Sequence, residues 1–175
     1  MLRRAILAAI VCLAGTGLTV AQDFQKPGPE HAKLREIEGK WNVVMEMGEQ
    51  KTKGTSTFKS INGGMWLASD FDGDLGGGLK FQGHGLDGYD QQKKKYVSIW
   101  TDSMSSAPLH LEGDYDSKGK QLVMTGDSTT PDGKPQKVKT TTESKDKDHF
   151  TFKMYMVDAD GKDQLAFTIE YTRQK

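Results

Sequence analysis

Three carboxylates alternate along one short stretch of the sequence, at Asp70, Asp72 and Asp74. Oxygen ligands at such a spacing are what a calcium-binding loop uses. An EF-hand loop also needs glycine at its sixth position and glutamate at its twelfth, whereas this sequence has Leu75 and Phe81 there. The stretch is therefore interpreted as a solvated turn, with a calcium loop as the alternative, and no metal site is predicted.

The histidines are scattered through the chain, at His31, His84, His110 and His149. No two of them have the short spacing of a zinc motif, so a zinc site would need ligands from separate strands. His84 lies between two glycines, where the backbone can either approach a ligand closely or bend at a barrel corner. One neutral histidine in an apolar cavity would be enough for haem. We predict no cofactor, with haem as the alternative.

The sequence contains no recognisable catalytic motif. Serines occur at several positions, but no Gly-x-Ser-x-Gly motif is present to expose one of them as a nucleophile. Three aspartates, Asp87, Asp90 and Asp102, could meet in space as the paired carboxylates of a glycosidase, a question that the sequence leaves open. No catalytic residue is predicted.

Aromatic residues with polar neighbours form the strongest candidate for a ligand site. Tyr96 and Trp100 share one strand face with Ser98 and Asp102. Such an apolar surface with a few polar groups is typical of a small-molecule pocket. The alternatives are a half-buried outer face, or a core in which the phenol and indole bond to the backbone. The predicted ligand-binding residues are Trp66, His84, Tyr89, Tyr96, Trp100 and Asp102.

These residues lie in a chain of short strands. From Gly39 onward, apolar-alternating runs are interrupted about every 10–15 residues by turn sequences rich in Asn, Asp and Gly. No helical pattern separates the ten strand candidates, which excludes parallel crossovers. A meander of this length must close or stack to hide its edges. We predict an all-β fold, a single antiparallel barrel of roughly ten strands, preceded by a short helix over residues 30–38.

The N-terminus has the pattern of a secretory signal peptide. Arg3 and Arg4 precede an apolar run, and small residues allow cleavage after Ala21. We therefore expect an exported protein, periplasmic or extracellular. The lone cysteine, Cys12, would leave with the signal, so the mature chain would contain no disulfide.

The remaining chain divides into a leader and one domain. Residues 1–21 are the predicted signal peptide, residues 22–38 an extended leader with the short helix, and residues 39–175 the barrel domain. Of the 24 Lys and Arg residues, two lie in the signal, which leaves 22 against 24 Asp and Glu. This balance lacks the basic surface of a nucleic-acid-binding protein, and no later segment is long and apolar enough to span a membrane as a helix.

Three segments resemble the uncharacterised bacterial family known as domain of unknown function 1579: residues 34–41, 83–103 and 112–122. That family is similar to the calycin-like barrels, which include lipocalins, fatty-acid-binding proteins and haem-binding nitrobindin-like proteins. Gly39 and Trp41 look like the lipocalin Gly-x-Trp motif, whose tryptophan closes one end of the barrel. The resemblance implies a calycin-like barrel and no particular activity.

The sequence thus leads to one functional expectation and two alternatives. We expect an exported protein that binds a small, partly apolar, lipophilic molecule inside its barrel. The first alternative is an interaction module of the cell envelope with a filled barrel, which would use its outer sheet or an edge strand. The second is an enzyme at the barrel mouth, a hydrolase or isomerase. Whether the barrel interior is open or filled distinguishes these hypotheses.

Overall fold

The computed structural model describes residues 25–130 and 132–175 of the chain. The predicted signal peptide, residues 1–21, lies outside the described residues. In the described part of the chain, no helix is both long and apolar enough to cross a membrane.

One short helix precedes ten strands. Helix α1 (Pro29–Leu34) continues into a 3-10 turn, Arg35–Ile37. The strands are β1 (Gly39–Met47), β2 (Gln50–Ile61), β3 (Trp66–Asp74), β4 (Lys80–Asp90), β5 (Lys95–Asp102), β6 (Leu109–Tyr115), β7 (Gln121–Thr129), β8 (Pro135–Asp146), β9 (His149–Val157) and β10 (Asp163–Arg173). A second 3-10 turn, Asn62–Gly64, joins β2 to β3.

Each strand pairs antiparallel with its neighbours in the chain, and β1 also pairs with β10, so the sheet closes into a barrel. The predicted fold class, a single antiparallel ten-stranded barrel, is confirmed. The Asp-x-x-Gly turns hold the hairpins together, because the aspartate side chain bonds the backbone of its own turn. Asp116 accepts from the Lys120 N–H at 2.8 Å, and Asp158 accepts from the Lys162 N–H at 2.8 Å. Closure leaves the described strands without a free sheet edge.

Helix α1 covers one end of the barrel, which we call the helix end. The helix has only six residues, too few to be stable without packing. Its Lys33 ammonium lies 3.5 Å from the centre of the Tyr115 ring and donates to the Gly119 carbonyl at 2.8 Å. In the following turn, Arg35 donates to the Gly64 carbonyl at 3.2 Å. These contacts hold the helix and its 3-10 turn over the ends of the strands.

Aromatic side chains fill the barrel at the helix end. Trp41 is 1% exposed, and its ring meets that of Phe150 edge-on at 4.7 Å between centroids. Phe150 in turn stacks on Tyr171 at 4.1 Å. The Trp41 indole donates to the Ile37 carbonyl at 2.9 Å, and the Arg173 guanidinium lies 4.1 Å above the Trp41 ring. Packing of this kind fills the barrel interior around Trp41.

The opposite end, which we call the far end, carries the turns 48–49, 75–79, 103–108 and 158–162, and residues 130 and 132–134 between β7 and β8. Five large apolar side chains are exposed in the described residues, and all five lie at this end. They form the far-end rim: Met47 (46% exposed), Leu79 (50%), Met104 (60%), Met156 (37%) and Leu165 (57%). The two ends of the barrel therefore differ, one packed beneath a helix and one edged by exposed apolar groups.

Candidate functional site

The half of the barrel next to the far end is incompletely filled. Six apolar side chains that face the interior on this side of the barrel are only partly buried: Phe81, Trp100, Leu109, Phe152, Met154 and Phe167. In a closed barrel, an inward-facing side chain is accessible through space inside the barrel or through its open end, which here is the far end. We call the space bordered by these six residues the far-half cavity.

Trp100 is held in place inside this cavity. Its ring covers the backbone of Gly83 and Gly85 on the neighbouring strand, where a methyl group at Gly83 would overlap the ring and one at Gly85 would lie 3.3 Å from it. Its indole N–H donates to Asp102 at 3.0 Å, and the same carboxylate accepts from the Met104 N–H at 2.8 Å. The glycines thus make room for the indole, and Asp102 fixes its orientation.

A carboxyl group, Asp87, also faces the barrel interior. It lies in register with the buried Leu67 on β3 and with Ser98 on β5, whose side chain hydrogen-bonds to it. Asp87 faces the interior through its register with Leu67, yet it keeps an intermediate exposure. That combination is expected for a group that borders an internal cavity. Asp87 is two residue pairs deeper in the barrel than Trp100, which is paired with Gly85.

Burial strongly perturbs this carboxyl group. Loss of hydration raises the pKa of Asp87 from its ordinary value of 3.8 to about 6, although the hydrogen bond from Ser98 opposes the rise. Burial also raises the pKa of Tyr171, and the nearby Asp87 carboxylate adds to that effect. Asp87 has no Lys, Arg or His partner among the ion pairs of the described residues. A perturbed titratable group in a cavity is a recognised indicator of a functional site.

Two of the six residues predicted to bind a ligand lie on the outer surface of the barrel. Trp66 alternates with the buried Leu67, and its ring covers Gly88 from outside, where an added methyl group would lie 2.6 Å from it. The His84 side chain is 67% exposed and bonds to Asp70 at 2.7 Å. The structure therefore separates Trp66 and His84 from the other four.

Tyr89 and Tyr96 lie inside the barrel but at the helix end. The Tyr96 ring meets those of Tyr89 and Tyr115 edge-on, at 5.1 and 5.2 Å between centroids. Tyr89 also meets the ring of His31, which helix α1 holds 1% exposed. These rings pack beneath the helix, so only Trp100 and Asp102 of the six predicted residues lie at the far-half cavity.

Gly39 and Trp41, the predicted barrel-closing motif, lie at the start of β1 under the 3-10 turn. Gly39 has a positive φ of 124°, a conformation that favours glycine, and a methyl group there would approach the Arg173 guanidinium to 2.8 Å. Arg173 also donates to the Glu38 carbonyl. The glycine therefore allows Arg173 to bridge the 3-10 turn and the last strand, above the Trp41 ring.

The histidines do not suit haem. His84, His110 and His149 are exposed, and His31 lies beneath helix α1, where its Nδ1 accepts from the Gly28 N–H at 3.0 Å. None of them borders the far-half cavity, so the residues present there do not fit a histidine-ligated haem.

The three alternating carboxylates of β3 have separate partners on the outer surface. Asp72 accepts from the Gln82 amide at 2.9 Å, and Asp74 accepts from the Gly76 N–H at 2.7 Å, while Asp70 bonds to His84. No group of three or more potential metal ligands occurs among the described residues.

Two grooves are also present. One of about 490 Å³ runs over the far-end portions of β2, β3 and β4 and shares Phe81 with the far-half cavity, while most of its lining residues face outward, among them Lys53, Asp72 and Lys80. The other, of about 330 Å³, lies at the helix end between the 3-10 turn and the β8–β9 hairpin, next to Trp41 and Phe150. Neither combines an apolar interior with a buried polar group, as the far-half cavity does.

Two solved barrels resemble the whole domain. Rv2717c from M. tuberculosis superposes with a TM-score of 0.60 at 12% identity, over 85% of this chain and 99% of that chain. The S-type phycobiliprotein lyase CPES from Guillardia theta superposes with a TM-score of 0.51 at 9% identity, over 83% of this chain and 93% of that chain. Likeness at these identities shows the fold alone, and it agrees with a calycin-like barrel.

No curated protein matches the chain. The model of the family described as "Protein of unknown function (DUF1579)" matches residues 26–173, and the chain belongs to that family.

Proposed function

We propose that the protein is an exported binding protein, which takes a small, partly apolar molecule into the far-half cavity. The observation that carries this proposal is the incomplete burial of the six cavity-lining side chains inside a closed barrel. Apolar surface that stays accessible to water favours occupation by an apolar group, at about 25 cal/mol for each Å² covered. A ligand that covers roughly 200 Å² would therefore gain about 5 kcal/mol before its own ordering costs.

The far-end rim supports entry of the ligand at this end. Met156 lies on β9, which lines the cavity, and Met47 lies at the far end of β1. Both side chains are exposed. Methionine side chains are flexible and adapt to different apolar shapes. At the helix end, by contrast, α1 and the rings beneath it block access.

The far-end rim also favours a second candidate function, an interaction module that docks a partner protein on these five apolar side chains. Strand addition is not available to such a module in the described barrel, because β1 and β10 pair with each other. Binding inside the barrel and docking on the rim make different predictions for Trp100, which lies inside.

A matched pair of tryptophan variants tests the proposed function. Trp100 and Trp66 each cover glycine backbone, the first inside the barrel and the second outside. Binding of the uncharged fluorescent apolar probe N-phenyl-1-naphthylamine would be measured for the wild type, Trp100→Ala and Trp66→Ala. We expect Trp100→Ala to weaken probe binding about tenfold, a loss of more than 1 kcal/mol, and Trp66→Ala to leave it unchanged. Equal effects of the two substitutions, or no binding to the wild type, would contradict the proposal.

A further inference from the structure

The carboxyl group of Asp87 faces the barrel interior, deeper than Trp100 of the far-half cavity. Asp87 is paired with Leu67 on β3 and with Ser98 on β5. On the next strand, β6, Leu111 is paired with Ser98. Both leucines are buried, at 1% and 8% exposed. An aspartate among such neighbours destabilises the fold when it is ionised, because burial removes its hydration. A position that costs stability in this way is typical of a binding or catalytic group.

The surroundings of Asp87 supply one hydrogen bond and no positive charge. Ser98 bonds to the carboxyl group, and Tyr171 is the other polar side chain whose ionisation responds to it. The lysines and arginines that form ion pairs in the described residues do so with other acids. A buried carboxylate without a cation is stabilised by any ligand that brings one.

The walls around this carboxyl group suit a cation with an apolar body. Trp100 lies two residue pairs toward the far end from Asp87, and the other cavity-lining side chains are apolar. Aromatic faces attract ammonium groups through their quadrupoles, and they also pack against alkyl chains. The order from the far end inward is therefore the apolar rim, the apolar and aromatic wall, and the carboxyl group.

We propose that the ligand of the far-half cavity is an amphiphilic amine, whose ammonium group pairs with Asp87 and whose apolar body lies against Trp100 and the cavity wall. This inference rests on the proposed function, because it assigns the ligand class for the same cavity. It also gives Ser98 a role, since its hydroxyl holds the carboxylate in the position that meets the ammonium group.

Three probes with the same alkyl chain test the inference: octylamine, 1-octanol and octanoate. Their binding to the wild-type protein would be measured by calorimetry at pH 7.5. We expect octylamine to bind about tenfold more tightly than octanol, as one charge-paired hydrogen bond would provide. Octanoate should bind most weakly, because its carboxylate would face that of Asp87. Equal affinities for octylamine and octanol would overturn the inference.

Two variants with the same change in charge locate the effect. Asp87→Asn removes the buried charge, whereas Asp127→Asn removes an exposed, outward-facing one from β7. We expect Asp87→Asn to weaken octylamine binding about tenfold and to change octanol binding less than about twofold. Asp127→Asn should change neither. Retained octanol binding shows that the Asp87→Asn variant is folded, and an unchanged preference for the amine in that variant would refute the assignment of Asp87.

The pH dependence of the wild type provides a measurement without any substitution. Octylamine should bind about tenfold more weakly at pH 5 than at pH 7.5, because the carboxyl group is then protonated, while octanol binding should not change. Among the residues that face Asp87, Leu67, Leu111 and Ser98 do not titrate, and burial holds the pKa of Tyr171 above this range. Amine binding that is independent of pH would contradict the inference.

The failure of the inference is distinguishable from that of the proposed function. If octanol binds and Trp100→Ala weakens it, but the amine has no advantage, the cavity binds ligands and only the ligand class is wrong. If none of the three probes binds at millimolar concentration, both the inference and the proposed function are wrong.

Discussion

The Asp87→Asn substitution should stabilise the protein near neutral pH and have little stabilising effect in mild acid. The folded state holds the Asp87 proton more tightly than the unfolded chain does, since burial raises the pKa from 3.8 to about 6. At pH values between these two pKa values the folded state binds more protons than the unfolded chain. The stability contributed by the native carboxyl group therefore falls as the pH rises through this window. Asparagine does not titrate, and its carbonyl can still accept a hydrogen bond from Ser98.

The magnitude follows from the same two pKa values. Each pH unit of difference corresponds to about 1.4 kcal/mol, so the ionised carboxyl group costs about 3 kcal/mol of folding stability above pH 6. The difference in unfolding free energy between Asp87→Asn and the wild type should therefore be about 3 kcal/mol larger at pH 7.5 than at pH 3.5. Any fixed cost of the amide group is the same at both values and cancels from this comparison.

Urea unfolding followed by tryptophan fluorescence, at several pH values between 3.5 and 7.5, measures this difference directly. Asp127→Asn serves as the control, because Asp127 is exposed on the outside of β7 and its replacement should give a nearly constant difference. A constant difference for Asp87→Asn as well would refute the claim that Asp87 is buried as an acid inside the barrel.

Three further predictions concern the helix end, the cavity wall and the N-terminus. His31 is buried with its Nε2 unpartnered, and burial lowers its pKa below 6.5, so its contribution to stability should be lost as the pH falls through that range. His31→Leu should remove this part of the acid sensitivity in urea unfolding, and an unchanged pH profile would contradict it. Gly83→Ala should destabilise the protein by about 1–3 kcal/mol, because the methyl group overlaps the Trp100 ring. This cost should fall by at least about 1 kcal/mol in the Trp100→Ala background, and additive effects would refute the contact. Mass spectrometry of the exported protein should give a mature chain that begins at Gln22, whereas an intact N-terminus would contradict the signal peptide.

The strands and their turns could be predicted because they depend on local sequence. The alternation of Phe150, Phe152, Met154 and Met156 marks β9, and Asp-x-x-Gly sequences mark the hairpins. The helix was also predictable in position, although the structure has α-helix only as far as Leu34 and a 3-10 turn beyond it. Such local signals do not depend on which strands become neighbours.

The composition of the cavity could be predicted only in part, because it depends on strand register. The alternation in β5 correctly placed Tyr96 and Trp100 on one face. In the structure, however, Tyr96 packs beneath the helix at one end of the barrel, whereas Trp100 borders the far-half cavity at the other. In β4 the glycines interrupt the apolar pattern, so the sequence did not show that His84 faces outward.

The sequence marked Asp87 only as one of three aspartates that could form a carboxylate pair, and its inward direction could not be predicted for the same reason. Its inward direction becomes evident from its pairing with Leu67 and Ser98, which join three separate strands. The role of Gly83 and Gly85 likewise becomes clear only when Trp100 of the next strand lies over them.

A ligand in the far-half cavity should be detectable by NMR of the protein labelled at the methionine methyl groups and titrated with octylamine. Met154 lines the cavity, whereas Met65 precedes β3 at the helix end and serves as the internal control. We expect a saturable shift of the Met154 signal with no shift of Met65. Shifts of Met65 alone, or a Met154 signal that does not move while octylamine binds, would contradict binding in that cavity.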